Sequence, residues 1–258
     1  MVSRIDEQPR ATRANGQTNR PRLIVLGDSI TAHITSDLQR ALQQHGSNLR
    51  VDNRAVGGSA ISYNRSDRNW LRDGPMIAAG IRPGDVVLFN IGHNDFYTMG
   101  KRAGWDNQFL HRNPGYMNKA TFLQHYENLI REFQNNGARV IVAGPVPYLR
   151  PNAGAAPFLE THHQAALDRI PELSRELENL SKRLNVQFIP SLDNRALHDK
   201  SSRVPDGLHL NAEGMRIFSQ QIASNLVNPT PRPAAIAAAT PSSTPTTKPF
   251  VMHRHNSA

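Results

Sequence analysis

Residues 23–33 read LIVLGDSITAH, and how this stretch is read decides the fold. Four apolar residues run into Gly27-Asp28-Ser29, and a helix-like segment follows at once. One reading makes Ser29 an N-cap, because a serine oxygen accepts a hydrogen bond from an orphan N–H in a helix's first turn. The other makes it a nucleophile at a sharp strand-to-helix turn, where the same unpaired N–H groups are available to an oxyanion. The stretch alone supports both readings, and the rest of the chain separates them.

Working outward, the runs RLIVLG, LRVDN, DVVLFNIG, RVIVAG and VQFIP predict short strands. Amphipathic stretches lie between them. Residues 120–136 set Phe122, Leu123, Tyr126, Leu129, Ile130 and Phe133 at helical spacing, with Gly137 as a stop. Leu173, Leu177, Leu180 and Leu184 mark another helix, with Pro171 near its expected first turn. Asn211 is placed to cap a last helix carrying Met215, Phe218, Ile222 and Leu226. Strands apolar throughout and alternating with helices predict an α/β fold, a parallel sheet covered on both faces. In such sheets ligands bind beyond the carboxyl ends of the strands. Ser29 falls just past the first strand, NRAVGGSAISY (Asn53 to Tyr63) follows the second, and GHNDFY (Gly92 to Tyr97) follows the third. Three polar, glycine-bearing loops thus converge on one edge.

The chain has 258 residues and a formal net charge of +9. Much of that charge sits at the ends: residues 1–22 carry five Arg against two acids, and residues 228–258 carry Arg232, Lys248 and Arg254 with no acid. A specific nucleic-acid binder would concentrate basicity on a folded face, so no specific nucleic-acid partner is expected. The expected organisation is a basic, disordered N-terminal arm over 1–21, one domain over 22–227, and a disordered Pro/Ala/Ser/Thr-rich tail over 228–258. Cysteine is absent, which excludes disulfides and Cys-based zinc sites. No apolar run approaches the roughly 18 residues of a membrane span, and the first residues contain no apolar core of a cleavable secretory signal.

Near the end stands VPDGLHLNAEG, Val204 to Gly214. Asp206 and His209 lie close together in a Pro/Gly loop before the last helix. A serine hydroxyl needs a base to become a nucleophile, histidine suits that role near neutral pH, and a carboxylate must hold the imidazole in the right tautomer. A D-x-x-H loop supplies both. An ordinary Asp-Gly turn beside a histidine accounts for the same residues singly. Donors to an oxyanion are available from the Ser29 N–H, the Gly58 N–H and the Asn94 side-chain amide. Each of these residues has a plain structural use, but together they fall at one predicted sheet edge.

GDSI, NRAVGG, GHND and DGLH stand in the order and approximate spacing of the four blocks of the SGNH (GDSL) hydrolases, which this chain resembles from its first strand to its closing helix. The resemblance implies a three-layer α/β/α, flavodoxin-like fold around a five-stranded parallel sheet. It implies Ser29 as nucleophile, His209 as base and Asp206 as its orienter. It also implies an oxyanion hole made by Ser29, Gly58 and Asn94, Gly58 being chosen over Gly57 by its distance from Asn53. Ala55 replaces a glycine common in the family. The NRAVGGSAISY and GHND blocks resemble most the rhamnogalacturonan and related carbohydrate acetylesterases, implying a small-molecule or glycan ester as substrate. Asp28, His93 and Tyr63, with Phe96, Tyr97 and Trp105 of the long insertion after Asn94, are candidate substrate contacts.

Other classes lack their motifs. The sequence has no G-x-S-x-G elbow, no phosphate-binding G-x-x-x-x-G-K-[ST] and no G-x-G-x-x-G. THHQ at 161–164 lacks the H-E-x-x-H spacing, so neither a metal nor a cofactor is expected. The alternatives carried forward are a lipase, lysophospholipase or thioesterase of the same fold, and a non-catalytic glycan-binding module. Compartment and oligomeric state are not legible.

Overall fold

A computed structural model describes residues 20–61, 69–95, 119–152 and 163–228. Five parallel strands form one sheet: β1 (Arg22–Gly27), β2 (Arg50–Asn53), β3 (Val86–Asn90), β4 (Arg139–Ala143) and β5 (Gln187–Ile189). Each lies within an apolar run that the sequence predicts as strand. Their order is β2-β1-β3-β4-β5. The helices are α1 (Thr35–Gln44), α2 (Trp70–Ala78), α3 (Lys119–Asn135), α4 (His163–Arg183) and α5 (Ala212–Val227).

Side chains alternate across a strand with a period of two, so β1 sends Leu23 and Val25 to one face and Ile24 and Leu26 to the other. The first pair joins Leu88, Ile141 and Ile189 under α1 and α5, against Leu38, Leu42, Phe218 and Ile222. The second pair joins Val87, Phe89, Val140 and Val142 under α2, α3 and α4, against Phe122, Tyr126, Phe133, Leu173 and Leu177. Two cores and one sheet make the three-layer α/β/α fold. Each fully buried Leu, Ile or Phe contributes about 1.5–3 kcal/mol relative to exposure, so the sheet is a rigid platform for the loops at its edges.

Two local expectations need correction. No helix begins at Ser29: residues 28–33 form turns and α1 starts at Thr35. The N–H groups of Thr31 and Ala32 donate to Asp28 O at 3.2 and 3.0 Å, so Ser29 caps no helix. Pro171 does not open α4 but lies inside it, because the helix begins at His163. Ile170, one turn before Leu173, is also buried, and burial of this extra position outweighs the N–H that proline lacks. Asn211 caps α5 as expected, its Oδ1 accepting from the Gly214 N–H at 3.0 Å.

The amino edge of the sheet is tied by charge. Asp85, just before β3, is 1% exposed and accepts from the Arg22 N–H at 2.8 Å and the Arg22 guanidinium, and also from the Arg82 N–H at 2.9 Å. Burial alone would raise the Asp85 carboxyl, but the Arg22 guanidinium and the two backbone donors outweigh it and hold the group below its ordinary value. Arg22 opens β1, so the bridge fixes β1 against β3. It leaves the carboxyl edge, where the chain reverses between β1 and β3, as the crevice of the fold.

Candidate active site

Gly27 ends β1 opposite Asn90 of β3. A Cβ at Gly27 would meet Thr31 Oγ1 at 1.8 Å and Asn90 O at 3.1 Å. Only glycine lets the chain turn that tightly above the sheet, and the turn lifts Ser29 out of it. The turn is held from below by Asp28, which is fully buried. Its Oδ1 accepts from the Ile30 N–H at 3.0 Å, and its Oδ2 lies 3.2 Å from His93 Nδ1. The other ring nitrogen of His93 accepts from the Val146 N–H at 3.2 Å. An amide can only donate, so the ring proton is on Nδ1 and His93 is neutral. Asp28 and His93 thus join the ends of β1, β3 and β4 beneath Ser29, with their polar atoms engaged by the protein itself.

The second loop is pinned to the same strand end. Asn53 Nδ2 donates to Thr31 O at 2.8 Å and Thr35 Oγ1 at 3.0 Å. Ser59 Oγ donates to Gly27 O at 2.8 Å and accepts from Trp70 Nε1 at 3.0 Å. Ser59 O accepts from Asn94 Nδ2 at 2.9 Å, which joins the third block to the second. Gly58 adopts φ +77°, and a Cβ at Gly57 would lie 3.9 Å from Ser29 Cβ. The loop therefore passes alongside the serine. Among the described residues nothing accepts from the Ser29 or Gly58 N–H.

The fourth loop closes over them. Gly207 has φ +73°, and a Cβ there would meet Leu149 O at 2.2 Å. Glycine is required twice over, by the backbone angle and by the approach of residues 144–152 after β4. Leu149 N–H donates to Gly207 O at 2.9 Å and Asn152 N–H to Pro205 O at 2.9 Å. Asp206 Oδ1 accepts from the Leu208 and His209 N–H groups at 2.8 and 2.9 Å, and Asp206 Oδ2 lies 2.6 Å from His209 Nδ1. His209 Nε2 lies 2.9 Å from Ser29 Oγ. The carboxylate holds the Nδ1 proton, leaving Nε2 to accept from the serine hydroxyl. His209 stays 40% exposed at the side chain, so the far side of the relay is open to a ligand. Chemically, such a relay can take a proton from Ser29 as its oxygen attacks an electrophile and return it to a leaving group.

The sequence matches the model of the GDSL-like lipase/acylhydrolase family over residues 25–217. The chain belongs to this family. This GDSL-like hydrolase is thus an ester hydrolase by family, as its sequence motifs imply. Its structure is similar to that of a carbohydrate acetylesterase from Sinorhizobium meliloti, at 18% identity and TM-score 0.60, covering 81% of this chain and 99% of that one. It is also similar to an aryl esterase from M. smegmatis (17% identity, TM-score 0.61, 81% and 99% coverage). A lipase/acylhydrolase from Enterococcus faecalis shares the fold as well (22% identity, TM-score 0.57, 80% and 96% coverage). Comparison with curated proteins finds no match.

Tyr63, Phe96, Tyr97 and Trp105 lie outside the described residues. Two buried groups escaped the sequence reading. Ser59 ties the second and third blocks, and its only signal was a polar residue inside GGSA. Arg203, 6% exposed, donates through Nη2 to Pro147 O at 2.9 Å and through Nη1 to Ser202 Oγ at 3.0 Å. Burial pulls its guanidinium down to about 10, against the charge of Asp206, which raises it. Tyr148 is pushed up by burial and then by Asp206.

Proposed function

We propose that this hydrolase cleaves short-chain esters, O-acetyl groups on a carbohydrate above all, by a Ser-His-Asp acyl-enzyme mechanism. The observation that carries the reading is the unbroken chain from Ser29 Oγ through His209 to Asp206. His209 removes the Ser29 proton as Oγ bonds to the ester carbonyl carbon. The tetrahedral oxyanion rests on the N–H groups of Ser29 and Gly58 and on the Asn94 amide. The carbon–oxygen bond to the alcohol then breaks and His209 gives the alcohol its proton. Water, deprotonated by the same imidazole, attacks the acyl-serine and releases the carboxylic acid. The catalytic unit is the 22–227 segment, with the two tails outside the chemistry.

The acetyl-carbohydrate part is supported by the acetylesterase-like blocks NRAVGGSAISY and GHND, and by the likeness in fold to the S. meliloti acetylesterase. Substrate class is tested with p-nitrophenyl esters of rising chain length and an acetate-release screen over acetylated glycans, with Ser29→Ala as control. Highest kcat/KM on acetate and loss of acetate release in Ser29→Ala are expected. Preference for octanoate or longer would favour a lipase-like enzyme, and full activity in Ser29→Ala would end the proposal.

A further inference from the structure

Against the Asp206–His209 loop lies a cavity of about 80 Å³. It is lined by Leu149, Arg150 and Asn152 from one side and Lys200, Arg203 and Gly207 from the other. Three of its eight lining residues are cations. Among the described residues none of the three is paired with a carboxylate. Arg203 is more than nine-tenths buried, and its Nε has no acceptor. The adjacent acids are already engaged: Asp206 by His209 and two backbone N–H groups, Asp199 by the Ser201 N–H at 2.8 Å. The nearby charge of Asp206 offsets only part of the cost of burying Arg203, and a buried cation short of counter-charge is retained where something else supplies it.

We infer that this cavity is an anion subsite, built to take a compact oxyanion, a carboxylate or phosphate group, against the loop that carries the catalytic Asp206 and His209. Arg203 supplies the desolvated charge, and Arg150 and Lys200, both exposed at the rim, supply charge at the mouth. The volume suits one such group and little more. The subsite shares Gly207 with the loop that carries Asp206 and His209, so an anion held there touches the catalytic loop. The lowered pKa of Arg203 agrees with this, since its main cause is burial that the charge of Asp206 only partly offsets.

The test uses the full chain at constant ionic strength, with inorganic phosphate as probe and Arg150→Ala/Lys200→Ala as the variant. Arg203 is left intact because it clamps Pro147. Calorimetric titration is expected to show saturable phosphate binding to the wild type, weakened about tenfold in the variant, the sum of two exposed ion pairs. The source of the anion is resolved by two further arms. If the substrate carries it, an acetylated uronic acid has a higher kcat/KM than the matching acetylated neutral sugar, and phosphate competes that preference away. If it is a free ion, phosphate changes the rate on the neutral ester instead. Absence of saturable binding, or binding of equal strength in the variant with an unchanged circular dichroism spectrum, would overturn the inference. The binding arm does not require turnover, so its failure is distinct from a failure of the esterase reading.

Discussion

Asn94 gives an amide hydrogen to Ser59 O, and that bond aims the rest of its amide. Replacing it with alanine removes one proposed oxyanion donor and leaves the Ser29–His209 contact in place. The expected result for Asn94→Ala is a fall in kcat on the order of 10²–10³ with KM little changed, measured by steady-state kinetics on p-nitrophenyl acetate. A proportional rise in KM with constant kcat would assign Asn94 to ground-state binding instead. At this scale the sequence was most legible where chemistry limits the choice of residue. Ser29, Asp206 and His209 could be picked out because few residue types can serve as nucleophile, orienter and base. Asp28 and His93 were legible as site neighbours but not as buried supports, because their burial depends on where the segment after β4 passes. Arg203 left no signal at all. Its burial is set by Pro147, 56 residues away in the chain, and a lone arginine in a loop has no periodicity to betray it.

The strands and the helices α3 and α5 could be read from apolar periodicity and stop signals, since those patterns record the faces buried here. Helix starts were less legible. The GDS turn occupies residues that look helical, and α4 runs through a proline that looks like a start. In both cases tertiary burial overrides a local preference. The loop between β5 and α5 shows the reverse, a local requirement with a distant cause. Gly207 needs its left-handed backbone, and its missing Cβ makes room for Leu149 O. Strain and overpacking of about 1–3 kcal/mol each are therefore expected for Gly207→Ala. Thermal unfolding should show a Tm lower by several degrees, taking about 2–4 °C per kcal/mol for a domain of this size. Activity should fall further than stability alone explains, because the displaced loop carries His209. A variant with wild-type Tm and rate would show that the contact does not matter.

Across the whole molecule, residues 180 apart in sequence come within hydrogen-bond reach, His209 Nε2 to Ser29 Oγ. The sheet accomplishes this by placing four loops on one edge while Arg22 and Asp85 lock the other. The family resemblance implied a five-stranded parallel sheet in a three-layer fold, but the strand order was not read from the sequence, because apolar runs do not say which strands pair. The Arg22–Asp85 bridge was not legible, since both residues look like ordinary strand flanks. In the unfolded chain the Asp85 carboxyl titrates near 3.8, and in the fold it lies lower. Its stabilising contribution is therefore complete well above 3.8 and disappears as pH falls through the folded value. Asp85→Asn should cost about 3 kcal/mol at pH 7 by urea unfolding, and the gap to wild type should narrow as pH falls below 3.8; a gap constant with pH would refute the bridge's role. The central claim, that Ser29 is made nucleophilic by His209, is tested most directly by a fluorophosphonate probe and peptide mass spectrometry. The expected result is one adduct, on Ser29, that is lost in His209→Ala. No adduct, or labelling of Ser29 undiminished in His209→Ala, would contradict it.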